Sequence, residues 1–511
     1  MKEIANKSNH KTLPNSKNLL GNPAINRRTF LFGAIGAGLT AAASLSSLTG
    51  CSPKQAQASE LRDGGSFDVV IIGAGGAGMT AAISAHDGGA RVILLEKMNV
   101  AGGNTCFAEG GMNACCTETQ RNEGIKDSVE LFTSDTLKGG HNLGNPELVR
   151  YLCENSNAAL ERLAERGMFL NKISTSGGAS VPRIHRPEDG SAVGKYLVQR
   201  LCEQCAQRGI DAVTHTDVKE ILVENGAISG VRANDGRSGR DIVYRAPVVI
   251  MTAGGFGANH EMLAQYRPEL LHAVTTNQQG AQGDGIRLAQ AIGADVVDIE
   301  QIQVHPTVEQ NTSILLSEGI RGDGAILVNT DGNRFTDELL TRDVVSAAQW
   351  AQPGGGSYAV FDKKVYDENK SIKEKFEEKN LALKANTLEE LGKLMNVDGD
   401  RFKATMDAYN GTIAAGTDDP LGRWKSRYPI DEAPFYAIKV APGIHHTMGG
   451  LRVDVDARVL DKNGNPLTGL FAAGEVTGGI HGGNRLGGNA ICDINVNGHR
   501  AAVSALAYLS Q

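Results

Sequence analysis

Six residues, Phe67-Asp68-Val69-Val70-Ile71-Ile72, run straight into Gly73-Ala74-Gly75-Gly76-Ala77-Gly78. The β-branched run has the composition of a fully buried parallel strand. The pattern predicts a helix from about residue 77 to residue 86 or 87, then a second buried strand over 91–95 that ends at Glu96. Each part has a physical task. Gly73 makes the tight turn, Gly75 lets the backbone approach a pyrophosphate, and Gly78, after Ala77, lets helix and strand pack closely. The helix N-terminus offers free N–H groups and a favourable dipole to phosphate. Glu96 stands where a carboxylate takes ribose hydroxyls. The glycines alone are a weak signal. Strand, glycines, helix, strand and acidic end in that order predict a dinucleotide site in a doubly wound α/β fold, and a merely structural glycine turn leaves Glu96 unexplained.

The chain of 511 residues is 41% hydrophobic, enough for more than one domain. Its formal charge of −7 argues against nucleic acid and against a polybasic membrane surface, so an anionic substrate needs a local cluster of bases. The 8 cysteines form no zinc or haem framework. Cys202 and Cys205 are followed by Ala206, not histidine, and lie in a helical-looking run over 196–208, so a structural role is expected, with redox or disulfide pairing as the alternative. The N-terminus reads as an address. Asn26-Arg27-Arg28-Thr29-Phe30-Leu31 precedes an Ala/Gly-rich apolar stretch to Leu48, a signal of the twin-arginine type rather than a membrane span. Leu48-Thr49-Gly50-Cys51 resembles a bacterial lipoprotein cleavage motif, with a plain cleavage site as the rival. The expectation is a signal segment over 1–51, a lipid anchor at Cys51, a polar linker over 52–65, and export to the periplasm or the outer face of the cell membrane.

Four further segments extend the dinucleotide reading: Gly102-Gly103-Asn104-Thr105, Gly110-Gly111-Met112-Asn113, a strand over 247–252 leading into Ala253-Gly254-Gly255-Phe256, and Gly469-Leu470-Phe471-Ala472-Ala473-Gly474-Glu475. Through them, over about residues 66–511, the chain resembles the flavoprotein family of soluble fumarate reductases, succinate dehydrogenase flavoprotein subunits and L-aspartate oxidase, and most of all the soluble periplasmic flavocytochrome c-type fumarate reductases. The resemblance implies an FAD-binding domain in two parts, 66–299 and 445–511, interrupted by an α+β capping domain over 300–444. It places Glu96, Asn104, Thr105, Gly110 and Val218 at the FAD, together with Asp284, His446, Glu475, Ala490 and Ile491. The membrane-complex relatives carry a histidine that bonds to FAD where this chain reads Gly103-Asn104-Thr105, so non-covalent FAD is implied.

Five segments have unusual polar density: Val304-His305-Pro306-Thr307, Leu316-Ser317-Glu318-Gly319-Ile320-Arg321-Gly322, Leu340-Thr341-Arg342-Asp343, His445-His446-Thr447-Met448-Gly449-Gly450, and Gly482-Gly483-Asn484-Arg485-Leu486-Gly487-Gly488-Asn489. Singly, each arginine reads as an ion pair and each histidine as a structural group. His445-His446 could be a metal pair, but neighbours on a strand face opposite ways and no third ligand is evident, so no metal is expected. Hydride addition to an alkene builds charge on the adjacent carboxylate, which fixed cationic donors must meet, and a positioned acid must supply a proton. By the resemblance, His305 and Ser317 hold one carboxylate with Glu318 close by, and His445 and Arg485 hold the other. Arg342 is the proton donor, resupplied through Glu318 and Arg321. Arginine ordinarily stays protonated, so this is a transient transfer inside a relay.

The chain departs from the fumarate pattern in the pocket wall, where Ser176 and Leu315 replace methionines and Ser317 replaces threonine. Other family members reduce urocanate, methacrylate or aryl acrylates. The expectation is an FAD-dependent reductase of the C=C bond of a small unsaturated carboxylate, fumarate first. The alternatives are another such acid (itaconate included), a dehydrogenase running in reverse, or a non-catalytic flavin electron carrier. With no CxxCH haem site and no FMN-linked module in the chain, electrons are expected from a separate cytochrome c or another exported redox protein. Within the cap, 362–379 and 388–415 read as helices with solvated charged faces.

Overall fold

Val69–Ile72 is the strand that the β-branched run predicts, and all four of its residues are buried. It pairs in parallel with Val92–Leu95 on one side and Val248–Met251 on the other. The computed structural model describes residues 61–424 and 427–511. The signal segment, Cys51 and most of the linker lie outside the described residues.

The sheet continues from Val248–Met251 to Pro466–Ala472, also in parallel, so its core draws on distant parts of the chain. Ala227–Asp235, Arg240–Arg245 and Arg62–Ser66 extend it further. Helix Gly76–Asp87 packs on the C-terminal helix Asn489–Leu509 and on Val193–Gln207. That last helix carries the CxxC pair: Cys205 is buried, and Cys202 Sγ lies 3.6 Å from Met79 Sδ. Both thiols are free and serve the packing.

A second, antiparallel sheet orders Ile302–Val308, Phe435–Thr447, Ser357–Phe361 and Ile326–Val328, with Ala382–Ala385 also on Phe435–Thr447. Its strands alternate with period 2. Leu327, Phe361 and Ile438 enter one apolar cluster with Phe376. Ile326, Val360 and Ala437 enter another with Leu391 and Phe402. The strand Phe435–Thr447 is continuous across residue 444, where the sequence suggested a domain boundary.

The two helical runs expected here are each broken. The first gives Lys363–Glu368 and a short π-helical turn, Lys373–Glu377. Between them Asn369 leaves helical geometry and its side chain donates to Val365 O and Asp323. The second gives Leu388–Met395 and Gly399–Ala414. Asn396 turns left-handed at φ 54°, and the Asp398 carboxylate accepts from Arg401 N–H to cap the second helix. Among the described residues no helix is long and apolar enough to cross a membrane.

Candidate active site

The glycine turn opens onto a cavity of about 1070 Å³ whose far wall is the second sheet and its loops. Gly73, Gly75, Ala77 and Glu96 line it, with Asn104, Thr105, Gly110 and Val218. So do Asp284, His446, Glu475, Ala490 and Ile491. Gly78 does not; a Cβ there would overlap the Gly73 carbonyl and lie 2.7 Å from Thr252 Oγ1, so its role is helix–strand packing. The residues fit a dinucleotide. A Cβ at Gly110 or Gly254 would meet no protein atom within 4 Å, so both backbones are bare walls of the cavity. Glu96 accepts Ala74 N–H at 2.9 Å on one oxygen and Met98 N–H at 2.8 Å on the other. That fixes the carboxylate and leaves lone pairs for hydroxyl groups. Thr105 Oγ1 accepts Gly76 N–H at 3.1 Å at the helix start. Asn104 donates to Glu475 at 3.1 Å and to Asn277 at 2.6 Å. Burial pushes the Glu475 carboxyl above its usual value. Asp284 pairs with Lys97 and Arg287.

The opposite end of the same cavity gathers His305, Ser317, Glu318, Arg342, His445 and Arg485. His305 stands on Ile302–Val308, and His445 and His446 on Phe435–Thr447. Adjacent strand residues should face opposite ways, yet both histidines line the cavity. A bulge is the reason. Gln303 is opposite His446 and Val304 opposite Ile444, which leaves His445 as the extra residue. The His305 and His445 rings meet edge-on at 5.2 Å. Ser317 caps the helix Glu318–Gly322, its Oγ accepting Gly319 N–H at 3.1 Å, which leaves its own O–H to donate.

Arg342 opens the helix Arg342–Trp350 and reaches Glu318 Oε2 through Nε at 2.8 Å and Nη2 at 2.6 Å. Gly487 permits this approach: a Cβ there would lie 2.6 Å from Glu318 Oε2 and 3.1 Å from Arg342 Nη2. Glu318 Oε1 accepts Gly177 N–H at 2.8 Å and has Arg321 Nη2 at 3.9 Å. Arg321 does not line the cavity. It lies buried behind Glu318 and donates to Glu338 O at 2.6 Å. Ser176 is likewise not in the wall, contrary to the sequence expectation. Its neighbour Gly177 is tied to Glu318, which carries the segment behind that carboxylate; Leu315 does line the cavity.

The sequence reading missed Gln303 and Thr276. Gln303 accepts from Arg342 at 2.9 Å and donates to Asn484 at 2.9 Å and Arg485 O at 2.7 Å, joining the two arginine-bearing segments. The signal was its place two residues from His305 on one strand face. Thr276 bonds His445 Nδ1 at 2.8 Å, and nothing in the sequence marks it.

Burial works to raise the Glu318 pKa, but Arg342 and Arg321 overcome it and hold the carboxyl below its usual value. Burial and the Arg342 charge bring Arg485 down to about 9, still cationic at neutral pH. Beside the Arg342–Glu318 pair, His305 Nε2 and Arg485 Nε have no partner among the described residues and both are buried; elsewhere on the lining Arg186 Nε, Ser174 Oγ and His446 Nδ1 are likewise unpartnered. Leaving a buried donor unmade costs about 1–3 kcal/mol, so the site is built for a ligand with acceptor oxygens.

Burial, seconded by the neighbouring guanidiniums, pushes the imidazoles of His305, His445 and His446 well below the ordinary histidine value. An unfolded histidine takes up its proton near pH 6.5 while these stay neutral, so the unfolded state binds more protons as pH falls. Stability is therefore present above that pH and lost below it, by about 1.4 kcal/mol per pH unit for each imidazole. Thermal melts of the FAD-saturated protein should show Tm falling steadily from pH 7 to 5. A flat Tm there would mean that the native imidazoles titrate normally.

A family model described as FAD binding domain matches residues 68–491. The NADH:fumarate oxidoreductase of Klebsiella pneumoniae (strain 342) is 50% identical over 446 residues, 86% of this chain and 48% of that one, so the chain spans about half of that relative's length. The fumarate reductase (cytochrome) of Shewanella frigidimarina is 42% identical over 442 residues, 86% of this chain and 77% of that one. Among solved structures, the open conformation of a flavocytochrome c3 fumarate reductase superposes with a TM-score of 0.73 at 39% identity, covering 88% of this chain and 79% of the other.

Proposed function

Because the chain belongs to the family of FAD-dependent fumarate reductase and succinate dehydrogenase flavoproteins, oxidoreductases acting on CH–CH groups, we propose that it reduces the C=C bond of a small unsaturated dicarboxylate, fumarate to succinate first. The observation that carries this reading is the pair of buried, unpartnered donors, His305 Nε2 and Arg485 Nε, in one cavity with the Arg342–Glu318 ion pair. When bound, and held without a covalent bond, reduced FAD supplies a hydride to one alkene carbon. His305 Nε2–H and the Ser317 hydroxyl hold one carboxylate, and His445 and Arg485 the other. These neutral or cationic donors are fixed before the reaction, so they meet developing carboxylate charge without reorganising. Arg342 gives a proton to the second carbon and regains one through Glu318, with Arg321 behind as the next station. One hydride and one proton saturate the bond.

In this reading the protein is exported through its twin-arginine segment, anchored at Cys51, and supplied with electrons by a separate cytochrome c or another exported redox protein. Leu315 in the cavity wall favours one variation, the same chemistry on another unsaturated acid.

The test is reoxidation of the FAD-loaded protein, reduced with dithionite-reduced methyl viologen, by fumarate, urocanate, methacrylate, itaconate and cinnamate-type acids. Fumarate is expected to turn over fastest. Fast turnover of another acid with fumarate inert would move the assignment to that acid and make Leu315 the specificity residue. Silence across the panel would sink the reductase reading in favour of a reverse dehydrogenase or an electron carrier.

A further inference from the structure

A neutral histidine carries one ring proton, and a carboxylate can only accept, so His445 serves a carboxylate only if the nitrogen facing it bears that proton. Which nitrogen does so is set by the partner of the other. For His305 the backbone decides. Thr307 N–H can only donate, and it lies 3.2 Å from Nδ1, so the proton sits on Nε2. The Thr307 hydroxyl also lies 3.2 Å from Nδ1 and donates to Leu316 O at 2.7 Å, so the backbone N–H is the donor that Nδ1 receives.

Among the described residues His445 has no backbone donor at Nδ1; its partner is the Thr276 hydroxyl at 2.8 Å. That hydroxyl has two directions. Turned to the ring, it donates to Nδ1 and leaves Nε2–H for the ligand. Turned to Ile444 O at 3.3 Å, it must accept from Nδ1–H, and a lone pair then faces the carboxylate. The second direction is the poorer one, because 3.3 Å is long for a hydroxyl bond, against 2.8 Å to the ring nitrogen. The hydroxyl is also held in place. Ile444 N–H donates to Val274 O at 2.8 Å, and Asn277 donates to His445 O at 3.3 Å, so residues 274–277 are stitched to the bulge that presents the ring.

We propose that Thr276 is a positioning residue: its hydroxyl donates to His445 Nδ1, keeps the ring proton on Nε2, and so gives the His445–Arg485 end of the site its second carboxylate donor. This rests on the unsaturated-carboxylate reading. It makes the two ends unequal. The His305 tautomer is written into the backbone, whereas the His445 tautomer depends on one side-chain hydroxyl that a single substitution removes.

The experiment compares FAD-loaded wild type, Thr276→Val, which keeps the shape without the hydroxyl, and Thr276→Ser, which keeps the hydroxyl. KM and kcat come from the methyl viologen assay. The Kd of malonate, an unreactive dianion, comes from its perturbation of the flavin spectrum. The 15N spectrum of histidine-labelled protein, with the His445 signals assigned through His445→Gln, reads the tautomer. Thr276→Val should raise KM and the malonate Kd about 10-fold or more with kcat within about 3-fold, the scale of one lost bond to a charged group. Thr276→Ser should restore both, and wild-type His445 should show a proton-free Nδ1. Unchanged KM in Thr276→Val, no rescue by serine, or a protonated Nδ1 in the wild type would overturn the proposal. If the wild type neither binds malonate nor reduces any acid of the panel, the substrate reading has failed, and the tautomer of His445 in the ligand-free protein decides the Thr276 assignment separately.

Discussion

Arg342→Ala is expected to slow reoxidation of the reduced flavin by the acid substrate by about 10²–10⁴-fold, the usual contribution of a positioned general acid. Reduction of the flavin by methyl viologen should stay near the wild-type rate. The split follows from position. Arg342 lines the cavity at the end opposite the glycine turn, bonds Glu318 through Nε and Nη2, and is braced by Gln303 through Nη1. Its removal also strips Glu318 of the nearer of two cations that overcome its burial, and breaking a buried pair costs about 3–5 kcal/mol of stability. Flavin content and a melting curve must therefore accompany the kinetics. Arg342→Lys separates the effects: it restores a cation beside Glu318 but not the planar fork, so stability should recover more than rate. Reoxidation as fast in Arg342→Ala as in the wild type would remove Arg342 from the chemistry and favour a flavin carrier.

Gly78→Val is expected to leave the protein with less than about a tenth of its FAD, or insoluble. Even a Cβ at this position overlaps the Gly73 carbonyl and lies 2.7 Å from Thr252 Oγ1. The first obstacle is backbone, so no rotamer change relieves it, and overpacking of this kind costs about 1–3 kcal/mol or more. Relief requires helix Gly76–Asp87 to move off the strand Val69–Ile72, which displaces the turn that lines the cavity. Gly411→Ala is the contrast. It lies on the exposed side of helix Gly399–Ala414, where a Cβ meets nothing within 4 Å, and it should stabilise by about 0.5–1 kcal/mol. Flavin content by absorbance and Tm check both. Full FAD occupancy in Gly78→Val would refute the packing role.

The dinucleotide half of the site was legible because it is local. Strand, glycine turn, helix and Glu96 follow within 30 residues, each step dictated by burial, backbone freedom or helix-end electrostatics, and the structure reproduces their order. The residues of the opposite end were singled out through resemblance, and their types through the chemistry of carboxylates; the structure brings them to one cavity. Their arrangement was not. Gln303 braces Arg342 from 39 positions away, and Thr276 meets His445 from 169. The bulge that turns His445 and His446 into one cavity depends on the register of two strands that no local pattern sets. The same holds for Arg321 and Ser176, which sit behind Glu318 rather than in the wall, and for the helical runs over 362–379 and 388–415, which Asn369 and Asn396 interrupt. Sequence by itself determined which chemical groups the site has, because side-chain chemistry and short-range backbone preference travel with the residue. Only the tertiary structure decided which atom of each group faces the ligand, because that depends on hydrogen-bond partners supplied by segments far apart in the chain.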